Sequence, residues 1–184
     1  MPDLNHTPML LNLADESETV ALGAALALAF EPGLRVYLRG PLGAGKTTLV
    51  RAILHGLGHP GRVKSPTYTL VELYPFSRLN LYHFDFYRFQ DRNEWRDAGF
   101  SDYFDHDNVC LVEWPEKAGD ELPPADLDIA IEIISDDSVI GSHAPADDPD
   151  FNATRRRAVL TAHTPTGQEC LSSIVRFKSP NASS

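Results

Sequence analysis

Apolar positions recur along this chain in two periods, and the switches between them outline alternating helices and strands. From Asp15 onward, Val20, Leu22, Ala24, Leu26, Ala27 and Phe30 fall at helical spacing. Asp15 or Ser17 is available as the cap, and Pro32-Gly33 ends the pattern. Residues 34–39 then alternate, with Leu34, Val36 and Leu38 on one face and Arg35, Tyr37 and Arg39 on the other. That predicts a strand whose second face is covered by long, partly exposed side chains. A second helix is predicted over residues 46–57, striped by Leu49, Val50, Ile53 and Leu57 and stopped by Gly58. Residues 69–73, 80–86 and 108–112 read as further strands, and the polar stretch 91–104 has helical character. Late alternation at 127–134 and 157–163 predicts an antiparallel pair. The first dozen residues carry no strong pattern. Between the late strands, residues 135–153 hold five aspartates and read as a solvated, mobile loop, and 179–184 as a disordered tail. The remainder, 1–178, is read as a single domain.

Composition narrows the function classes. Apolar content of 42% and charged content of 23% are those of a soluble globular protein, and no apolar run reaches membrane-spanning length. The apolar stretch 20–30 follows acidic residues rather than a basic start, which argues against a secretory signal. Cys110 and Cys170 make no disulfide framework, so a cytoplasmic, reducing location is expected. The net charge of −10 disfavours autonomous RNA binding, because neutralising backbone phosphates needs basic excess. Arg51, Arg62 and Lys64 could still form a local basic patch, but contact with RNA is expected to run through a protein partner.

GPLGAGKT at residues 40–47 matches the phosphate-loop pattern G-x-x-x-x-G-K-[ST], with a predicted strand before it and a helix after it. The spacing has a physical reason. Glycines let the main chain turn its N–H groups inward, and the helix adds the partly positive end of its dipole. The main chain of Gly43, Ala44, Gly45, Lys46, Thr47 and Thr48 is assigned to phosphate. The Lys46 ammonium is assigned to the β- and γ-phosphates and the Thr47 hydroxyl to Mg²⁺. ATP and Mg²⁺ are therefore the expected ligands. Such a site needs an acidic partner. Asp85 and Glu113 each end an apolar run, where strand ends face one crevice. Asp85 is assigned to the metal and Glu113 to the attacking water or the metal shell, with the two roles exchangeable.

Beyond the loop, the strings GPLGAGKTT (40–48), VKSPTYTLVE (63–72), HFDFYR (83–88) and LVEWP (111–115), in this order and spacing, resemble the TsaE (YjeE) family. The similarity runs from about residue 19 to 124. The resemblance implies an α/β, P-loop NTPase-like three-layer fold with a mixed central sheet. It implies an ATPase, weak alone and stimulated by TsaB- and TsaD-type partners, that supports formation of N6-threonylcarbamoyladenosine next to the anticodon of tRNA. In the family pattern Lys46 and Thr47 serve phosphate and metal, Asp85 holds Mg²⁺, and Glu113 serves catalysis. Thr67 lies in a switch-like SPTY loop and Trp114 beside the nucleotide. Pro41 departs from the family, which carries aspartate there. Proline removes an N–H early in the loop, while the phosphate-facing groups lie later, so binding is expected to survive.

Two rival readings differ in class. A small-molecule P-loop kinase needs an acceptor pocket and an arginine-bearing lid, whereas 135–153 has no arginine. A non-hydrolysing adaptor would use nucleotide only to stabilise its fold. Among the remaining residues, His83 reads as a packed histidine. Arg88 reads either as a charge stabiliser or as a partner of Asp91.

Overall fold

The computed structural model describes residues 7–91, 93–134 and 155–178. The expectations for 135–153 and 179–184 fall outside the described residues. Seven strands form one sheet in the order β1-β7-β6-β2-β5-β4-β3. They are β1 (Met9–Leu13), β2 (Arg35–Arg39), β3 (Val71–Pro75), β4 (Asn80–Asp85), β5 (Asn108–Glu113), β6 (Leu127–Ile133) and β7 (Arg156–Ala162). The centre is parallel: β2 pairs in parallel with both β5 and β6, and β5 with β4. The flanks are antiparallel, β3 on β4 at one edge and β7 between β6 and β1 at the other. The expected mixed α/β sheet is thus observed.

Helices α1 (Glu16–Ala27), α2 (Lys46–Gly56) and α4 (Pro165–Lys178) pack on one face over Val36, Leu38, Leu81, Leu111, Ile129 and Leu160. Asp15 caps α1 by accepting from the Glu18 N–H at 3.1 Å, and the Glu18 carboxylate reaches back to the Ala14 N–H at 2.7 Å. The Asp15 bond resolves the choice between Asp15 and Ser17 as the cap. α1 and α2 approach closely because Gly23 has no side chain. A Cβ there would lie 2.4 Å from Ala52 Cβ. Leu49 and Ile53 of α2 are fully buried, each worth about 1.5–3 kcal/mol of apolar burial.

The opposite face carries an aromatic cluster of Tyr37, Phe84, Phe86, Phe89, Trp95 and Phe100. Short α3 (Asn93–Asp97) and a 3₁₀ turn at Phe100–Tyr103 cover it, where the sequence showed only helical character over 91–104. The second face of β2 carries long, half-exposed arginines at its ends, as expected, but not at its centre. Tyr37 is buried at its centre, and the flanking arginines are ion-paired, Arg35 to Asp126 at 3.3 Å and Arg39 to Asp128 at 2.7 Å.

Two elements were not legible in the sequence. β1 is an edge strand whose exposed and half-buried positions, with Asn12 among them, give a weak signal. Among its described positions α4 buries Gly167, Cys170, Leu171, Ser173 and Ile174, of which only Leu171 and Ile174 are large and apolar. Ser173 is satisfied there by donating to the Ala25 carbonyl at 2.9 Å. α4 is seated on Asp126, which accepts from the Thr164 hydroxyl at 2.8 Å, and a Cβ on Gly167 would sit 1.9 Å from the Asp126 carbonyl oxygen. Among the described residues no helix is long and apolar enough to cross a membrane.

Gly40, where β2 turns into the loop, has φ +135°, and a Cβ there would lie 2.2 Å from the Ile131 carbonyl oxygen of β6. Gly40→Ala is expected to lower unfolding stability by at least about 2 kcal/mol, read by urea denaturation, because both strain and overlap with backbone must be relieved.

Candidate functional site

Parallel pairing brings the carboxyl ends of β2, β5 and β4 to one edge of the sheet. Leu38 stands opposite Glu113, and Glu113 opposite Asp85. Strand alternation then puts Leu111 and Glu113, and likewise Leu81, His83 and Asp85, on the face that carries α2. The loop leaving β2 folds over this edge with positive φ at Gly40, Gly43 and Gly45. A cleft of about 330 Å³ opens there, lined by Leu42, Gly43, Gly45, Lys46, Thr47, Thr48, Ser65, Thr67, Asp85, Tyr87, Glu113, Trp114 and Arg156.

The amino end of α2 faces this cleft without a side-chain cap and without an acidic residue in its first turn, unlike α1. Its first N–H groups and its dipole are therefore available to an anion. The Lys46 ammonium folds back over the loop. It donates to the carbonyls of Gly40 at 2.8 Å and Pro41 at 2.9 Å, and lies 4.1 Å from the Trp114 ring centre. Burial pushes its pKa down, while the carboxylates of Glu113, Asp85 and Glu116 oppose that shift.

The two carboxylates are buried and held differently. Glu113 accepts from the Thr47 hydroxyl at 2.9 and 3.1 Å and from His83 Nε2 at 2.9 Å. Asp85 accepts from the Ser65 hydroxyl, from the Thr67 hydroxyl at 2.7 Å and from the Tyr87 N–H at 3.0 Å. The SPTY loop is thus tied to the site through Asp85. Two non-glycine residues with positive φ flank this region, Leu70 at 67° and Trp114 at 58°. Such conformations cost free energy and concentrate where function demands a fixed geometry.

The sequence-predicted residues Gly43, Gly45, Lys46, Thr47, Thr48, Thr67, Asp85, Glu113 and Trp114 come together in the cleft. Ala44 does not line it: its side chain is buried, and its N–H donates to the Pro41 carbonyl at 3.2 Å. Pro41 itself is exposed, and its carbonyl is used within the loop. Arg88 lies outside the lining, its guanidinium carbon 4.1 Å from the Tyr68 ring centre.

Ser65, Tyr87, Leu42 and Arg156 line the cleft without having been assigned to it. Ser65 was within reach of sequence reasoning as part of the SPTY string. His83 is fully buried beside Glu113, and its Nδ1 has no hydrogen-bond partner among the described residues. With a carboxylate as acceptor, Nε2 is the nitrogen that carries the proton. Only the period of β4, placing His83 two residues before Asp85 on the same face, could have suggested this.

Chemically, the cleft offers main-chain donors and an ammonium for a polyphosphate. It also offers a hydroxyl and two carboxylates, hard oxygen donors of the kind a small divalent cation takes. Among the described residues no group of three or more His, Cys, Asp or Glu side chains is placed to hold a metal by itself. A cation here would use Thr47 and the substrate's own oxygens as well.

A family model described as threonylcarbamoyl adenosine biosynthesis protein TsaE matches residues 13–139. The tRNA threonylcarbamoyladenosine biosynthesis protein TsaE of Haemophilus influenzae is 51% identical over 111 residues, covering 60% of this chain and 70% of that protein. The protein of the same name from Bacillus subtilis is 42% identical over 120 residues, covering 65% and 75%. The one from Rickettsia conorii is 33% identical over 166 residues, covering 90% and 84%. The crystal structure of Bacillus subtilis YdiB superposes with a TM-score of 0.71 at 28% identity, over 94% of this chain and 97% of that one.

Removing the His83–Glu113 bond is expected to destabilise the fold. His83→Leu should cost about 1–3 kcal/mol in urea denaturation, since a buried carboxylate loses one of its donors.

Proposed function

The chain belongs to the TsaE family of threonylcarbamoyl adenosine biosynthesis proteins, and on that premise we propose that it hydrolyses Mg·ATP in the cytoplasm. Hydrolysis supports turnover of the TsaB–TsaD transferase that forms N6-threonylcarbamoyladenosine next to the anticodon. It meets tRNA through that complex. The observation that carries the reading is the convergence of an uncapped helix end, Lys46, Thr47 and two buried carboxylates on one cleft.

In this reading the loop amides of residues 43–48 and the Lys46 ammonium cradle the phosphates. Ala44 contributes least, its N–H being engaged within the loop. Thr47, Asp85 and Glu113 would hold Mg²⁺, which would supply positive charge to the phosphate oxygens during transfer. Glu113, fixed by Thr47 and His83, orients a water and takes its proton as the water oxygen attacks the γ-phosphorus and the bond to the bridging oxygen of ADP breaks. Asp85 holds Ser65 and Thr67 of the SPTY loop against the same site, so the loop is placed to respond to the γ-phosphate. Trp114, stacked on the lysine and beside Tyr87, walls the cleft.

Glu113→Ala is expected to retain Mg·ATP binding but lose at least about 100-fold in phosphate release measured with purified TsaB and TsaD. Lys46→Ala is expected to lose binding and, in a complemented strain, the modified adenosine seen by mass spectrometry of tRNA nucleosides. Undiminished phosphate release by Glu113→Ala would contradict the catalytic assignment. Phosphoryl transfer to a small acceptor instead of phosphate release would favour a kinase.

A further inference from the structure

Arg156 stands at the first position of β7, and its place follows from topology. β7 runs antiparallel to β6, so its amino end lies at the edge where β2, β4, β5 and β6 end, and Arg156 pairs in register with Ile133. Alternation along β7 puts Arg156 on the side of Ala158 and Leu160, which are buried under the helices. The side chain therefore extends over the sheet edge towards the phosphate loop and lines the cleft.

Its contact with the loop is close. A Cβ on Gly45 would lie 3.2 Å from Arg156 Nε, 3.5 Å from Cδ and 3.8 Å from Cζ. Gly45 thus serves two ends: it takes φ +104°, and its bare Cα leaves room for the guanidinium. In strand order the carboxylates Glu113 and Asp85 lie on the β5–β4 side of the loop, and Arg156 on the β6–β7 side. The cation edge and the arginine therefore flank the loop from opposite sides.

We propose that Arg156 is a nucleotide-binding residue that grips the phosphate chain at its end remote from the metal edge, the α-phosphate next to the nucleoside. The inference rests on the nucleotide reading above and adds to it a second fixed cation. A guanidinium held beside the main-chain donors offers forked hydrogen bonds to phosphate oxygens that an ammonium does not. Being remote from the γ-phosphate, it binds ATP and ADP alike and acts on affinity rather than on the chemical step.

The test is equilibrium titration of Mg·ATP and Mg·ADP, with kcat and KM for phosphate release, on the full chain and three variants. Arg156→Gln is expected to weaken both nucleotides by a similar factor, about 10- to 100-fold, with KM rising in step. Its kcat at saturation should stay within about threefold of the unsubstituted chain. Arg156→Lys is expected to fall between, keeping the charge without the fork. Arg157→Gln, exposed on the other side of β7, should bind normally. A thermal melt without nucleotide reports folding, and Arg156→Lys carries the test if Arg156→Gln does not fold. Unchanged affinity in the Arg156 variants would overturn the inference, as would a loss confined to kcat or to ATP. Absence of nucleotide binding by the unsubstituted chain would overturn the nucleotide reading itself and this inference with it.

Discussion

In parallel pairing, the carboxyl ends of neighbouring strands must lie at the same edge of the sheet. Here that constraint acts on β2, β5 and β4 together, with Leu38 opposite Glu113 and Glu113 opposite Asp85. A slip of one residue in either pairing would turn a carboxylate to the aromatic face, because side chains alternate. The apolar faces make such a slip costly: Val36, Leu38, Leu81 and Leu111 are buried on the helix side, and Tyr37, Phe84, Cys110 and Val112 on the other. Core packing and site geometry are thus one constraint. The glycines of the loop then let the chain turn back over the edge so that α2 starts above the two carboxylates.

Charge at this edge is arranged in sequence along the sheet. Carboxylates occupy the β4–β5 side, the lysine and helix end the centre, and Arg156 the β7 side. Burying Asp85 and Glu113 so close together is costly unless each is satisfied. Each is satisfied by several donors from the SPTY loop, the main chain, His83 and Thr47. The same bonds connect the SPTY loop and the phosphate loop to the carboxylates, so a charge arriving in the cleft competes with contacts that hold two loops.

Much of this was legible in the chain itself. The phosphate-loop string has an unusual composition because its glycines answer a steric demand, and the apolar runs ending in Asp85 and Glu113 are strands buried on both faces. What escaped did so for physical reasons. β1 sits at an edge, and the exposed Leu10 between Met9 and Leu11 hides its alternation. α4 packs through Gly167, Cys170 and Ser173, small residues that carry little hydrophobic signal. The ion pairs of Arg35 and Arg39 could not be read because their acidic partners, Asp126 and Asp128, are far away in sequence. His83 and Arg156 depend on tertiary register: a histidine two residues before an aspartate, or one arginine in a run of three, has no address until the sheet order is known. The family resemblance located the SPTY loop, and the structure adds its attachment to Asp85.

The central claim is that loop amides, Lys46 and two buried carboxylates meet on a metal-bound triphosphate. A crystal structure of the chain with Mg²⁺ and a non-hydrolysable ATP analogue tests it most directly. The account predicts the phosphates over the amino end of α2, Lys46 turned from the Gly40 and Pro41 carbonyls towards them, and the cation beside Thr47 at the edge marked by Asp85 and Glu113. A nucleotide bound elsewhere, or phosphates in the cleft with Lys46 still on those carbonyls, would contradict it.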